Sequence, residues 1–163
     1  MAEILILYIL NKYDCTIYKI IKLIDELFFA FAKTSAGTIN PALKRLENLF
    51  CVEYKSKMTD GGMQSKTYSI TSAGQKHLRA LLMNYITQNP AHILNEAKML
   101  IYCSDILSNN ELSEFKNNLK NSLQLYEIKL ERGLCDEYNE RNNLQKKTIE
   151  ISLNETRELL KLL

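Results

Sequence analysis

The stretch from Thr34 to Ile70 constrains this chain most. It reads as one short helix followed at once by a two-stranded hairpin. Gly37 breaks the chain and Thr38 is a good N-cap, so the helix is expected to start there. Pro41 then falls at the third helical position, where its missing N–H has no intrahelical partner to lose. Ala42, Leu43, Leu46 and Leu49 recur at helical spacing and form the expected buried face, while Asn40, Lys44, Arg45 and Asn48 point elsewhere. In the hairpin, Val52 and Tyr54 alternate with Glu53 and Lys55, the period of a half-buried strand. Asp60-Gly61-Gly62 marks the tip, and Tyr68 and Ile70 return on the buried face.

The segments upstream supply a core for this unit. Ile4 to Leu10 is apolar on every face, so a helix there must be buried all round. A small module would leave one side of it open, and the C-terminal arm is expected to cover that side. Ile17, Ile20, Ile21, Ile24, Leu27 and Phe28 give a stripe at helical period, predicting a second helix from about Cys15 to Phe28. Phe28, Phe29 and Phe31 are expected to pack in the core. Lys19 and Lys22 lie outside the stripe, and phosphate contact and a plain solvated face are both open for them.

Downstream, Thr71 is expected to cap a helix lined by Leu78, Leu81, Leu82 and Tyr85, with Gly74 permitting close approach to a neighbour. Asn89-Pro90 looks like the cap and first residue of a helix running to about Leu107. After a break at Ser108 to Asn110, Leu112, Phe115, Leu119, Leu123, Tyr126, Leu130 and Leu134 form a continuous apolar seam. The polar run from Asp136 to Thr148 interrupts it. Ile149, Leu153, Leu160 and Leu163 resume a stripe on a last helix that folds back or crosses to a second subunit. Such seams cannot stay exposed, and a small module has little surface to cover them, so the arm is expected to dimerise.

Charge follows the same division. Residues 1–90 hold 11 Lys and Arg against 7 Asp and Glu, a balance of +4; residues 91–163 hold 10 against 12, a balance of −2. The basic excess therefore sits with the short helix. Cys15, Cys51, Cys103 and Cys135 are at least 32 residues apart and show no metal or redox spacing, so reduced, mostly buried thiols are expected. His77 and His92 stand alone and read as structural rather than metal-binding. Met1 is followed by Glu3 without a basic segment, and the longest apolar runs are far short of a membrane span; a cytoplasmic protein with no leader is expected. No paired carboxylates, nucleophile–base set or phosphate-cradling glycine loop appears, which argues against an enzyme. No cofactor is implied.

A short helix with a free N-terminus and polar, partly basic outward positions suits insertion into a DNA major groove. Three stretches carry a resemblance. GTINPALKRLE, Gly37 to Glu47, is similar to the G-T-L-Y-P-A-L-K-R-L-E stretch of the PadR family of bacterial transcriptional regulators. SKTYSITSAG, Ser65 to Gly74, resembles that family's R-K-Y-Y-x-L-T-x-x-G stretch, and TIYKI, Thr16 to Ile20, its H-G-Y-E-I. Order and spacing agree over roughly the first 85 residues, about half the chain. Asn40 stands where the family has tyrosine; Phe50 and Ile17 stand where it has glycine.

The resemblance implies a mainly α fold with a small β-wing: a winged helix-turn-helix domain over residues 1–88 and a C-terminal helical dimerisation arm over 89–163. It implies a homodimeric regulator, expected to act as a repressor on a (pseudo)palindromic operator in double-stranded DNA. Ser35, Thr38, Asn40, Lys44 and Arg45 are the expected reading-helix contacts, Asn40 being suited to bidentate pairing with adenine. Arg45 is also spaced to pair with Glu47 or Glu53. Lys55, Lys57 and Lys66 are the expected phosphate contacts of the wing, against the alternative that edge lysines only block strand pairing. The expected dimerisation residues are Leu112, Phe115, Leu119, Leu123, Tyr126, Leu130, Leu153 and Leu160. Some members of the family answer to ligands at the dimer interface, so a small aromatic or drug-like effector is open, with Tyr85, Tyr102, Tyr126 and Tyr138 as the side chains to meet it. Two other classes stay open: a plasmid or phage winged-helix architectural or partition protein, and a winged helix used for protein contact.

Overall fold

The computed structural model describes residues 1–58, 64–85, 89–135 and 140–163. The expected hairpin tip, Asp60 to Gly62, lies outside the described residues, as do Tyr138 and the start of the polar run at Asp136. The chain divides into two compact units, Met1–Asn84 and Tyr85–Leu163.

The first unit is built on α1 (Ala2–Lys12), whose residues Ile4 to Leu10 are all buried, as an all-round apolar helix requires. It packs against α2 (Ile17–Leu27), α3 (Ala36–Asn48), α4 (Ser72–Met83) and the second strand of the hairpin. These four neighbours belong to the same unit. Thr16 caps α2 by accepting from the backbone N–H of Lys19. Ile20, Ile24 and Phe28 are fully buried, and Phe28 meets Tyr8 and Phe31 edge to face, each with 5.8 Å between ring centroids. Phe29 departs from the expected cluster and points to solvent.

Helix α3 begins earlier than the sequence suggested. Ser35 is the N-cap, Gly37 sits inside the first turn, and Pro41 is at the sixth helical position rather than the third. The local residues look like a break followed by a cap, but Ile39, fully buried, draws the preceding turn into the helix. The buried face is Ile39, Ala42, Leu43 and Leu46, whereas Leu49 is 54% exposed at the C-cap.

Past the C-cap the chain turns at Phe50, which has φ of 54°. The Phe50 N–H donates to the Glu47 carbonyl and the Cys51 N–H to that of Leu46, the paired bonds of a left-handed C-terminal cap. Glycine is the residue best suited to that conformation, and a phenylalanine there carries strain.

Strands β1 (Val52–Met58) and β2 (Gln64–Ile70) pair antiparallel, Val52 opposite Ile70 and Tyr54 opposite Tyr68. Cys15 bonds both ways with Tyr68 and so ties the entrance of α2 to β2. Thr71 caps α4 by accepting from the Gly74 N–H, and its hydroxyl donates to the Phe50 carbonyl at 2.7 Å. Gly74 does permit a close approach: a Cβ there would lie 2.0 Å from the Cys51 carbonyl oxygen.

In the second unit, Asn89-Pro90 forms a turn and not the start of a helix. The Asn89 side chain accepts from the Ala91 N–H, its carbonyl accepts from the His92 N–H, and α5 begins only at Ile93. Helix α5 (Ile93–Cys103) passes through a 3-10 turn at Ser104–Ile106 to α6 (Asn109–Leu134), which opens on a Ser108–Glu111 capping box. A second capping box, Asn142–Gln145, opens α7 (Asn143–Lys161) inside the polar run.

Helix α7 folds back along α6. Ile149 lies beside Gly133, Arg157 bonds Glu127 and Glu131 at 2.7 and 2.6 Å, and Lys116 donates to the Leu162 carbonyl. Helix α5 also packs on α7, where Lys98 and Glu155 pair at 2.7 Å.

Candidate nucleic-acid interface

The amino-terminal part of α3 is open to solvent. Ser35, Thr38, Asn40, Lys44 and Arg45 are all exposed, because Ile39, Ala42, Leu43 and Leu46 take the inward face. The Ser35 and Thr38 hydroxyls lie 3.4 Å apart, and no side chain caps the helix start. The first-turn N–H groups and the dipole are thus directed at whatever approaches this end. Asn40 and Lys44, one turn apart, share a face; Arg45 lies on the neighbouring edge with Thr38.

Arg45 is the residue whose surroundings the sequence did not reveal. Its Nε donates to Glu3 Oε1 of α1 at 2.8 Å, not to Glu47 or Glu53. The other oxygen, Glu3 Oε2, lies 3.9 Å from Nε2 of His77 on α4, and that nitrogen is buried without a hydrogen bond. Glu3 also lies near Cys51, whose thiol is pushed up by burial and then by the Glu3 charge. A pairing across 42 residues leaves no local spacing signal.

The three wing lysines do not form one group. Strand alternation puts Lys55 and Lys57 on one face of the hairpin, opposite Thr67 and Ser65, and Lys66 on the other, opposite Ser56. Lys66 Nζ stands 3.8 Å over the Tyr54 ring, and the Tyr54 and Tyr68 rings are 5.6 Å apart. Tyr68 is buried and pushed up to about 12, by desolvation first and then by its hydrogen bond to Glu47 of α3. That bond ties the Lys66 face of the hairpin to the end of α3. Lys55 and Lys57 are exposed.

The expected dimerisation residues divide as well. Phe115, Leu119, Leu123 and Leu153 are buried within one chain, since α7 folds back over the α6 seam. Leu112, Tyr126, Leu130 and Leu160 are half-buried. Leu125 and Ile128 of α6, Leu144 and Ile151 of α7 and Leu162 at its C-cap remain exposed, and the first two lie off the stripe that the sequence periodicity marks.

Pro90, Ala91, Leu94, Asn95, Tyr126, Ser152 and Glu155 line a cavity of about 310 Å³ in the second unit. The Tyr126 phenol is raised by burial and then by Glu155. Tyr85, bonded to Glu96 and pushed up to about 12 mainly by burial, does not line it, and neither does Tyr102.

Cys15, Cys51 and Cys103 are buried, while Cys135 is exposed. Burial, then Asp14, pushes the Cys15 thiol up to about 11. No helix among the described residues is long and apolar enough to cross a membrane.

A helix pair α2–α3 backed by α1, with a two-stranded wing behind the exposed helix, is a winged helix-turn-helix, the architecture of a DNA-binding regulator. Residues 6–80 match the model of the transcriptional regulator PadR-like family, and over that stretch the chain is similar to it. Similar solved structures include PadR of Bacillus subtilis in complex with operator DNA, 17% identical, the match covering 98% of this chain and 92% of that one at a TM-score of 0.49. The smu.1604c protein from Streptococcus mutans UA159 is 21% identical over 98% of this chain and 94% of its own, at a TM-score of 0.47. A PadR-like transcription factor of Bacteroides fragilis is 29% identical over 48% of this chain and 74% of its own, at a TM-score of 0.43. Among curated proteins none matches this sequence.

Proposed function

We propose that this DNA-binding regulator acts as a homodimeric repressor, each protomer laying α3 in a major groove with its wing beside the groove. The observation that carries this reading is the uncovered start of α3, where Ser35, Thr38, Asn40 and Lys44 are exposed together and no side chain caps the helix. Asn40 reads a base edge; Lys44, Arg45, Lys55 and Lys57 hold phosphates. Lys66, stacked on Tyr54, braces the wing and reaches a phosphate only at the rim.

The partner subunit covers the apolar side chains that α6 and α7 leave open, Leu125, Ile128, Leu144, Ile151 and Leu162, together with half-buried Leu112, Leu130 and Leu160. An effector enters the cavity at Tyr126. The Asn95, Ser152 and Glu155 side chains there suit a small ligand with hydrogen-bonding groups better than a flat drug-like one.

Two substitutions test the DNA assignment in one titration series. Asn40→Ala is expected to lose about 1–3 kcal/mol of discrimination between a native promoter duplex and a scrambled one. Lys57→Ala is expected to weaken both duplexes equally and to lower the salt slope by about 1. A changed base preference in Lys57→Ala would sink the phosphate role of Lys57. Unchanged discrimination in Asn40→Ala would sink the base-reading role of Asn40.

A further inference from the structure

We infer that Glu3 is a positioning residue of the nucleic-acid interface, holding the Arg45 guanidinium in the orientation from which it meets a DNA phosphate. This rests on the proposed role of Arg45 as a phosphate contact. The geometry is asymmetric in the way such a role requires. The Glu3 side chain is 22% exposed and sits at the inner end of the pair, whereas Arg45 is 59% exposed at the outer end. The bond runs through Nε, which among the described residues leaves the N–H groups of both Nη atoms for an outside acceptor.

The carboxylate is itself held on a rigid element. Glu3 lies in the first turn of α1, whose next seven residues are buried, and Arg45 lies in the last turn of α3, which packs on α1. A long, flexible arginine on the recognition helix would otherwise lose rotamer freedom on meeting a phosphate; fixing Nε beforehand removes part of that cost. His77 of α4 stands on the other side of the carboxylate, with Nε2 at 3.9 Å from the second Glu3 oxygen.

The test is a thermodynamic cycle on DNA affinity, read on a duplex cut from the protein's own promoter at several salt concentrations. Arg45→Ala is expected to weaken binding about tenfold and to lower the salt slope by about 1. Glu3→Ala is expected to approach the same loss and the same drop in slope, although it removes a negative charge, and to have no further effect in the Arg45→Ala background. Glu3→Gln keeps an acceptor for Nε and is expected to restore most of the affinity. A merely structural role for Glu3 would lower the melting temperature of each variant alike and leave the salt slope unmoved. If Arg45→Ala weakens binding while Glu3→Ala and Glu3→Gln leave it unchanged or tighten it, the positioning role is overturned and the Arg45 contact stands. If Arg45→Ala changes nothing, the contact fails and the inference with it.

Discussion

The two units of this chain bury apolar surface to different degrees. In the first, the largest fully buried side chains run from Ile4 through Phe28, Ile39 and Leu46 to Leu78, and α1 is covered on every face. In the second, α6 and α7 share a seam with each other, yet Leu125, Ile128, Leu144, Ile151 and Leu162 remain open to water. A closed core can present a polar helix and keep it rigid. The first unit also leaves Phe29, Leu49, Phe50 and Met58 exposed, but around a core closed on α1, whereas the second exposes its apolar side chains along the two helices that share its seam.

The sharpest way to break that contrast is at the tightest point of the first unit. Gly74→Ala would put a Cβ 2.0 Å from the Cys51 carbonyl oxygen and 2.7 Å from Ile70 Cγ1, so the backbone of Cys51 or of α4 must shift. The expected loss is about 3 kcal/mol or more in denaturant unfolding, with the wing released from α3. In the second unit the corresponding change acts on assembly. Ile151→Glu adds a charge to an exposed helix face and is expected to leave each protomer folded while weakening self-association by about 2–4 kcal/mol. Sedimentation velocity across a dilution series reads this directly; an unchanged dimer would move the interface elsewhere. The smallest expected effect is a gain. Phe50→Gly relieves the φ of 54° at an exposed site and is expected to add about 0.5–1 kcal/mol, after allowance for the freer unfolded chain.

Much of the first unit was legible because its signals are local. The apolar run at Ile4, the stripe through Ile20, Ile24 and Phe28, the cap at Thr71 and the small residue at Gly74 each state their role within a few positions. The start of α3 misleads for the same reason. Gly37 and Thr38 mimic a boundary locally, and only the tertiary burial of Ile39 extends the helix past them. Asn89-Pro90 carries a helix-start pattern that serves as a turn.

What lay beyond sequence were the contacts between distant segments. These include Glu3 with Arg45 and Tyr68 with Glu47; that the last helix folds back rather than crosses was one of two readings open to the sequence, and in folding back it leaves Phe115 and Leu123 buried within one chain. The wing lysines show the middle case: alternation alone separates Lys66 from Lys55 and Lys57, but only once the register of Tyr54 on Tyr68 is known.

The central claim is that the exposed face of α3 reads sequence. The direct measurement is a titration of the intact protein onto a fragment of its own promoter and a scrambled fragment, at two salt concentrations. Binding to the native fragment about a thousandfold tighter or more, with a preference that survives the higher salt, is the result expected of a base-reading helix flanked by phosphate contacts. Equal and steeply salt-dependent binding to both fragments, or binding to neither, would contradict it.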